Sequence, residues 1–225
     1  MIKILTVYGN LLLSALGSTL LLALLGLFFA CIIGLIFGLL GVVKNRACNI
    51  IAQIFVDVVR GVPMIVLAFF VYFGIPYLFN TIIGGFSMTL TALQAGTVCL
   101  ALNCGAYMAE IIRAGIQSVD VGQMEAARSL GLSYGMSMRK VVLPQAIRTM
   151  IPTFINQFII TLKDTSILSV IGFPELVNKA QNVIAITFKS FETWAIVAVM
   201  YLVVILALQQ VANALERSLK RDRKK

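Results

Sequence analysis

The 225 residues of the chain are 60% hydrophobic and only 12% charged, with a formal net charge of +9 at pH 7. Soluble domains are about half apolar and about a quarter charged. This composition therefore excludes an ordinary water-soluble fold and favours a protein embedded in a bilayer. A chain of this length is expected to form a single domain over residues 1–225.

The chain has four cysteines and no histidine. Three of the cysteines lie in apolar stretches and the fourth follows a short basic group, so no paired extracellular framework is recognisable. We expect small buried residues rather than disulfide partners. Without histidine and without a CxxC spacing, no metal or haem site is predicted. The cysteines are Cys31, Cys48, Cys99 and Cys104.

The positive charge is concentrated at the carboxyl end, where six of the 18 basic residues follow Leu215. A basic tail beyond an apolar helix typically anchors the topology on anionic lipid, so nucleic-acid binding is not expected. We place this cytoplasmic tail at 216–225. The apolar stretch Leu11–Val43 carries no charge and is too long for the core of a cleavable signal, so no signal peptide is predicted.

Five stretches are apolar enough to cross a hydrocarbon core of about 30 Å, which needs about 20 residues. We therefore predict an all-α, polytopic membrane protein with about five transmembrane helices. The first stretch is longer than one crossing, so residues 1–13 are assigned to the outer interface. The stretches lie within Ser14–Val43 and over about Ile50–Phe73, Thr89–Ile112, Val141–Leu162 and Thr193–Leu215.

The basic residues also indicate the orientation. With the N-terminus outside and the C-terminus inside, fourteen basic residues, counting Arg60, fall on the inner side. Only Lys3, Lys163, Lys179 and Lys189 then fall outside. Because basic residues favour the cytoplasmic side, this orientation is the one predicted.

The inside connection over about 114–140 is longer than a simple turn and contains helix-forming and helix-ending residues. Asp120 can cap a short helix, with Glu125 in its first turn. Gly131 permits the left-handed conformation that ends a helix, and Pro144 fits the first turn of the next one. These features alone fit either a plain connector or an exposed element that docks a partner.

The segment EAARSLGLSYGMSMRKVVLP, residues 125–144, resembles the signature of the membrane subunits of binding-protein-dependent ABC importers. That signature reads EAA, three residues, G, nine residues, I, one residue, LP. The only departure is Val141, which replaces isoleucine. In that family the short cytoplasmic coupling helix of this loop inserts into a groove on the ATPase. The resemblance implies ATPase coupling for Glu125, Ala126, Ala127, Gly131, Leu143 and Pro144.

Further segments resemble the polar amino-acid uptake permeases of that family, over about residues 5–215. They are RGVP at Arg60–Pro63 and KDTSILSVIGFPEL at Lys163–Leu176. The resemblance implies a bacterial cytoplasmic-membrane protein working with a second permease subunit, identical or a sibling, two ATPase subunits and an extracytoplasmic solute-binding protein. The chain has no GxxxxGK[ST] phosphate loop, so it is not expected to be an enzyme. ATP and Mg would be bound by the partner ATPase, and no cofactor is expected in this chain.

Ionisable and polar residues at membrane depth are costly and usually face a cavity or a partner. Asp57 and Arg60 lie three residues apart on one helix face, and either form a local ion pair or serve as a gate. Asn103, Tyr107 and Glu110 fall near one face of the third span, where Glu110 can pair with Arg113. These residues are possible path or gate positions.

The end of the fourth span is the candidate substrate site. Polar residues there lie within or directly after an apolar stretch, and we expect them to break the helix and free backbone N–H groups. An amino-acid zwitterion would meet a carboxylate or amide oxygens with its ammonium, and N–H or hydroxyl groups with its carboxylate. A plain helix cap is the alternative. The residues are Asn156, Gln157, Lys163, Asp164, Thr165 and Ser166.

The neutral Gln157 favours a neutral or generally polar amino acid, whereas Asp164 and Glu110 leave a cationic one open. A secondary transporter or channel is the alternative function, but no internal repeat is recognisable and that class leaves the 125–144 pattern unexplained. An intramembrane enzyme is disfavoured because no nucleophile–base pair or metal set stands out.

Overall fold

The computed structural model describes residues 1–82 and 88–222, without the side chains of 215, 216 and 218–222. All regular structure in these ranges is helical. Most of the predicted tail at 216–225 continues the last helix as backbone, and 223–225 lie outside the described residues. The helices are α1 (Ile2–Leu40), α2 (Arg46–Gly61), α3 (Met64–Phe69), α4 (Ile75–Ile82), α5 (Ala92–Gln117), α6 (Val121–Ser129), α7 (Tyr134–Ser137), α8 (Leu143–Asp164), α9 (Leu176–Thr187) and α10 (Ser190–Asp222).

Five helical segments in the described part of the chain are long and apolar enough to span a membrane, which confirms the predicted number. Four of the five overlap the predicted stretches along most of their length. The central one is α5, which packs against α1, α2 and α8. The segments are Ile2–Leu40, Met64–Ile82, Ala92–Gln117, Tyr134–Ile171 and Ser190–Ala214.

The second span differs from its prediction over about Ile50–Phe73. The structure ends α2 at Gly61 and begins the spanning segment at Met64. Pro63 is the physical reason, because the residue before a proline is driven out of the α region. Val62 accordingly has φ −94° and ψ 129°. Asp57 and Arg60 therefore lie on the separate helix α2 and not within the span.

Helix α1 is continuous from Ile2, so residues 1–13 extend the first spanning helix, and their assignment to the outer interface stays a prediction. Its 39 residues extend about 58 Å, well beyond one crossing of the hydrocarbon core. The additional length is buried rather than free: Ile4, Leu12 and Ala15 pack against residues of α9 and α10. The first helix therefore ties the two ends of the chain together.

Glycines on one face of α1 allow close packing against α5. Gly26, Ala30, Gly34 and Gly38 recur every four residues and are buried. A Cβ atom added at Gly34 would lie 2.5 Å from the Cβ of Met108. Small residues at this spacing let the backbones of membrane helices come into contact. Close packing of this kind stabilises the pair, because the hydrophobic effect does not drive helices together in lipid.

Wider π turns precede two prolines inside helical segments. Phe70–Gly74 leads into α4 ahead of Pro76, and Met138–Val142 leads into α8 ahead of Pro144. A proline in a helix removes one hydrogen bond and crowds the preceding turn, and a π turn is one of the local adjustments that accommodate it. Pro144 is the second residue of α8, which confirms its predicted place in the first turn, although the π turn joins α8 to α7 without a break.

The cysteines only partly follow the prediction of small buried residues. All four are free thiols; Cys99 and Cys104 are buried, and Cys48 is partly exposed. Cys31 is exposed on the surface of α1. The prediction was wrong for Cys31 because an apolar stretch marks contact with either protein or lipid, and the sequence alone does not separate the two.

Candidate functional site

Helix α6 is a short, capped helix in the connection between α5 and α8. The Gly122 N–H donates to the Asp120 carboxylate at 2.6 Å, so Asp120 is the N-cap as predicted. Glu125 is the fifth residue of α6 and lies just beyond the first turn, so its predicted place in that turn was wrong. The cap fixes where the helix starts and thereby which side chains face outwards.

The end of α6 has the hydrogen bonds of a Schellman motif. The Leu132 N–H donates to the Ala127 carbonyl at 3.2 Å, and the Gly131 N–H donates to the Arg128 carbonyl at 3.0 Å. Gly131 has φ +85°, which side-chain-bearing residues rarely adopt. The glycine of the EAA pattern therefore ends the helix and turns the chain back towards α7.

The outer surface of α6 is uncovered in the single chain. Glu125 and Ala126 are exposed, whereas Ala127 is buried against the bundle. Val121 is 70% exposed and Leu130 is 85% exposed, one at each end of the helix. Sequence reasoning did not single out these two apolar residues, although apolar residues flanking a polar helix are a usable signal. Together they frame Glu125 with apolar surface that a protein partner would cover.

The inner surface of α6 is fixed to the membrane helices. Met124 packs against the apolar cluster formed by Ile112 of α5 and Ala146 of α8. The Gln145 amide donates to the Gln123 side-chain oxygen at 3.4 Å. Leu143 belongs to the same cluster. A displacement of α6 would therefore be transmitted directly to α5 and α8.

A cavity of about 320 Å³ lies between α1, α2 and α5, and it brings together three of the predicted path residues. Asp57, Arg60 and Glu110 line it together with Arg113. The Arg113 guanidinium donates to Glu110 at 2.6 and 3.1 Å, which confirms their predicted pairing. The cavity is thus polar although its walls are apolar helices.

Arg60 is oriented by an aromatic ring. Its guanidinium lies 4.9 Å from the centroid of Tyr107, within cation–π distance. Asp57 and Arg60 do not form the local ion pair considered from the sequence; among the described residues the one ion pair is Glu110–Arg113. Asn103 does not line this cavity. It is 8% exposed, and its amide donates to the Met64 sulfur at 3.8 Å.

One face of α8 carries an exposed polar stripe along an otherwise apolar span. Its members recur every three, four or seven residues, which places them on one side of the helix. Thr149 and Thr153 line a second cavity of about 320 Å³ whose other wall includes Glu110. Glu110 therefore lines both cavities. The stripe consists of Gln145, Thr149, Thr153, Asn156 and Lys163, of which sequence reasoning missed the first three, although their spacing was visible.

Asn156 and Gln157 do not share a surface, contrary to the expectation that both line one cavity. Asn156 lies on the exposed stripe, whereas Gln157 is 7% exposed and its amide nitrogen is buried without a hydrogen-bond partner. Adjacent residues on a helix are rotated by about 100°, so the two amides face different neighbours.

The segment from Lys163 to Ser166 does not unwind as expected. Helix α8 continues to Asp164 and tightens into a 3₁₀ helix over Thr165–Ile171, which Gly172 ends with φ 78°. The Thr165 N–H bonds to the Lys163 and Thr161 carbonyls, so it is not freed for a ligand. Thr165 is buried, whereas Lys163 is exposed and Asp164 partly so.

Glu175 is a fully buried carboxyl that sequence reasoning did not single out. It caps α9, accepting hydrogen bonds from the N–H groups of Val177 and Asn178 at 2.8 and 2.6 Å. The Tyr201 hydroxyl of α10 donates to it at 3.2 Å. The neighbouring Leu176 N–H donates to Thr19 of α1 at 3.1 Å. This junction joins α1, α9 and α10.

Burial raises the pKa of the Glu175 carboxyl above its ordinary 4.5, although its hydrogen bonds act in the opposite direction. The folded state then holds the proton more tightly than the unfolded chain. The stability from this group is complete below pH 4.5 and is lost as the pH rises through the raised pKa. We expect Glu175→Gln to remove this pH dependence and Glu175→Ala to cost about 2 kcal/mol.

The measurement for Glu175 is the melting temperature of the detergent-purified protein between pH 4 and 8, taken as the difference between wild type and each variant. The glutamine variant is the control for shape, since its amide oxygen still accepts hydrogen bonds. Parallel curves for wild type and Glu175→Gln would exclude a proton held at this junction.

The fold and the exposed α6 agree with the comparisons with known proteins. Residues 30–221 match the family described as binding-protein-dependent transport system inner membrane component. The chain belongs to this family, whose members are membrane-spanning transport subunits and not enzymes. It is accordingly a multi-pass protein of the bacterial inner membrane.

Relatives and solved structures support the assignment. The glutamine transport system permease protein of Escherichia coli (strain K12) is 41% identical over 172 residues, 76% of each chain. The arginine transport system permease protein of Bacillus subtilis (strain 168) is 37% identical over 190 residues, 81% of this chain and 83% of that one. A crystal structure of an amino acid ABC transporter with histidines has a TM-score of 0.85 at 38% identity, covering 94% and 95% of the two chains. The methionine ABC transporter, at 20% identity and TM-score 0.77, shows the fold alone.

Proposed function

We propose that this chain is the permease subunit of an ATP-binding-cassette importer for polar amino acids. The observation that carries the proposal is α6: a helix capped by Asp120, ended by Gly131 and exposed at Glu125, within the EAA pattern. Its uncovered surface fits a docking element better than a plain connector. The relatives named for glutamine and arginine support an amino acid as the solute.

The proposed assembly contains two permease subunits, two ATPase subunits and an extracytoplasmic solute-binding protein. The basic residues support an orientation with the N-terminus outside and α6 in the cytoplasm. ATP and Mg are bound by the ATPase subunits, since the sequence lacks a phosphate loop. In this arrangement 1–225 is one permease domain, and the coupling loop at 114–140 meets the ATPase.

The proposed mechanism is alternating access driven through α6. Closure of the two ATPases moves α6, and the contacts of Met124 and Gln123 transmit that movement to α5 and α8. Since α8 carries the polar stripe, its displacement changes which side of the membrane the stripe is open to. Glu110 lines both cavities and its partner Arg113 lines the first of them, a suitable place for a gate.

The proposed substrate contacts lie at the far end of α8 from α6. Asn156 and Lys163 face outwards on the polar stripe, and the Asp164 carboxylate is the anionic group next to them. Asp164 would receive the substrate ammonium, and Lys163 with the Ser166 hydroxyl would receive its carboxylate. Thr165 and Gln157 are buried and would support this surface from behind. A neutral polar amino acid such as glutamine is the proposed solute.

The decisive experiment is ATP hydrolysis by the reconstituted complex with its binding protein, tested against glutamine, arginine and an apolar amino acid. We expect glutamine to stimulate hydrolysis most strongly and uptake to require ATP. Uptake driven by an ion gradient without the ATPase would instead establish the alternative, a secondary transporter.

Asp164→Ala tests the substrate site. Loss of one charge-assisted hydrogen bond costs about 1.5–3 kcal/mol, so we expect the KM for uptake in proteoliposomes to rise about 10- to 100-fold. Glu192→Ala is the control, because this carboxylate lies in the first turn of α10 and has no part in the proposed path. An unchanged KM in a stably folded Asp164→Ala protein would exclude the contact.

A further inference from the structure

An apolar groove of about 590 Å³ runs between α1, α5 and α8, on the side of α8 away from the polar stripe. All of its lining residues are cysteine, leucine, methionine, isoleucine or phenylalanine. Leu35 of α1 and Ile147 of α8 form its rims and are about half exposed. Phe154 and Phe158 line its deeper end. No part of the proposed translocation mechanism uses this groove.

The groove is longer than the hydrocarbon half of a bilayer that one leaflet occupies. Along α8 it extends from Leu143 to Phe158, about 22 Å at 1.5 Å per residue. Half of a typical hydrocarbon core is about 15 Å. A groove that begins at the α6 end of the bundle and passes the midplane can therefore hold a complete acyl chain lying along the helices.

Basic residues lie at the end of the groove nearest α6. Lys140 precedes Leu143 by about one helical turn, and Arg148 follows the rim residue Ile147; both basic side chains are exposed. Lys44, just beyond the end of α1, lies 5.4 Å from the ring centroid of Tyr134. Positive charge at the mouth of an apolar groove complements an anionic headgroup above a hydrocarbon chain.

We propose that this groove is a specific site for an anionic phospholipid of the leaflet on the α6 side. One acyl chain fills the space between Leu35 and Phe154, and the headgroup phosphate binds Lys140 and Arg148. The site would hold α1 and α8 in register on α5 and thereby influence how far α8 moves. The competing occupant, a helix of a second copy of the chain, is an outcome of the test.

The test measures quenching of tryptophan fluorescence by lipids with brominated acyl chains. Trp194 is the single tryptophan of this chain, so Trp194→Phe removes the chain's own fluorescence, and the complex carrying that variant gives the background to subtract. Phe154→Trp then reports on the groove, and Leu24→Trp, an exposed position of α1 outside the groove, reports on bulk lipid. The full complex is reconstituted in bilayers that mix phosphatidylglycerol with phosphatidylcholine, one of them brominated at a time.

We expect the groove tryptophan to prefer brominated phosphatidylglycerol over phosphatidylcholine by about fivefold for each basic residue engaged, and the Leu24→Trp position to show no preference. Lys140→Gln combined with Arg148→Gln should abolish the preference while quenching itself persists. Equal quenching of the groove tryptophan by both lipids would show that the groove contacts lipid without selecting the anionic one. Absence of quenching by either lipid would show that protein fills the groove. Both of these results overturn the proposal.

Discussion

Replacing Glu125 with lysine is expected to abolish most solute-stimulated ATP hydrolysis while the permease remains folded and inserted. Glu125 is exposed on α6 between the apolar residues Val121 and Leu130, so its charge contributes nothing essential to the fold of the single chain. A reversed charge inside a protein–protein contact typically costs 2 to 5 kcal/mol or more. We therefore expect at least about a tenfold loss of ATPase affinity.

The matched control for Glu125→Lys is Glu125→Gln. Both changes remove the carboxylate at the same exposed position of α6, but the glutamine does not reverse the charge, so we expect a clearly smaller loss. ATPase binding is measured by co-purification and hydrolysis by phosphate release, with the melting temperature of the free permease as a check on folding. If Glu125→Lys retained full solute-stimulated hydrolysis, α6 would not be the ATPase-docking element proposed here.

Local chemistry made most of α6 predictable from the sequence. The cap at Asp120 and the turn at Gly131 depend on residues within one helical turn, so the sequence alone specifies them. The five spans were predictable for a similar reason, since a hydrocarbon core demands about 20 apolar residues whatever the tertiary structure. The second span was misplaced most, at both ends, because Pro63 outweighs continuous hydropathy.

Long-range contacts were not predictable in the same way. Glu175 reads as an ordinary charged residue after Pro174, and its burial depends on Tyr201 and Thr19, which are distant in sequence. Asn156 is exposed and Gln157 is buried because of where α5 packs against α8. The sequence identified the polar residues of the membrane region, but the structure determined which of them share a cavity.

The position of helix α8 explains why the docking helix α6, the polar stripe and the apolar groove belong to one mechanism. Its start packs against α6, one face carries the polar stripe, and the opposite face closes the apolar groove. A helix with three different surroundings can respond to a docked ATPase, a solute and lipid together. Its movement depends on a firm support, and that support is the tightly packed pair of α1 and α5.

Gly34→Ala is expected to weaken this support by about 1–3 kcal/mol, the usual cost of an extra methyl group in a well-packed interface. The new Cβ would lie 2.5 Å from the Met108 Cβ and 3.2 Å from the Gly105 carbonyl oxygen. Neither neighbour is the end of a flexible side chain, so the two helices must separate. We expect a lower melting temperature in detergent and less folded protein in the membrane.

Gly17→Ala provides a control with the same substitution in the same helix. Nothing lies within 4 Å of a Cβ added at Gly17, so the change brings only the higher helix propensity of alanine, about 1 kcal/mol. The two variants should therefore shift the melting temperature in opposite directions. An unchanged or raised melting temperature in Gly34→Ala would mean that the α1–α5 contact yields easily. In that case α8 would move against a deformable support, and movement of α6 would be dissipated before it reached the polar stripe.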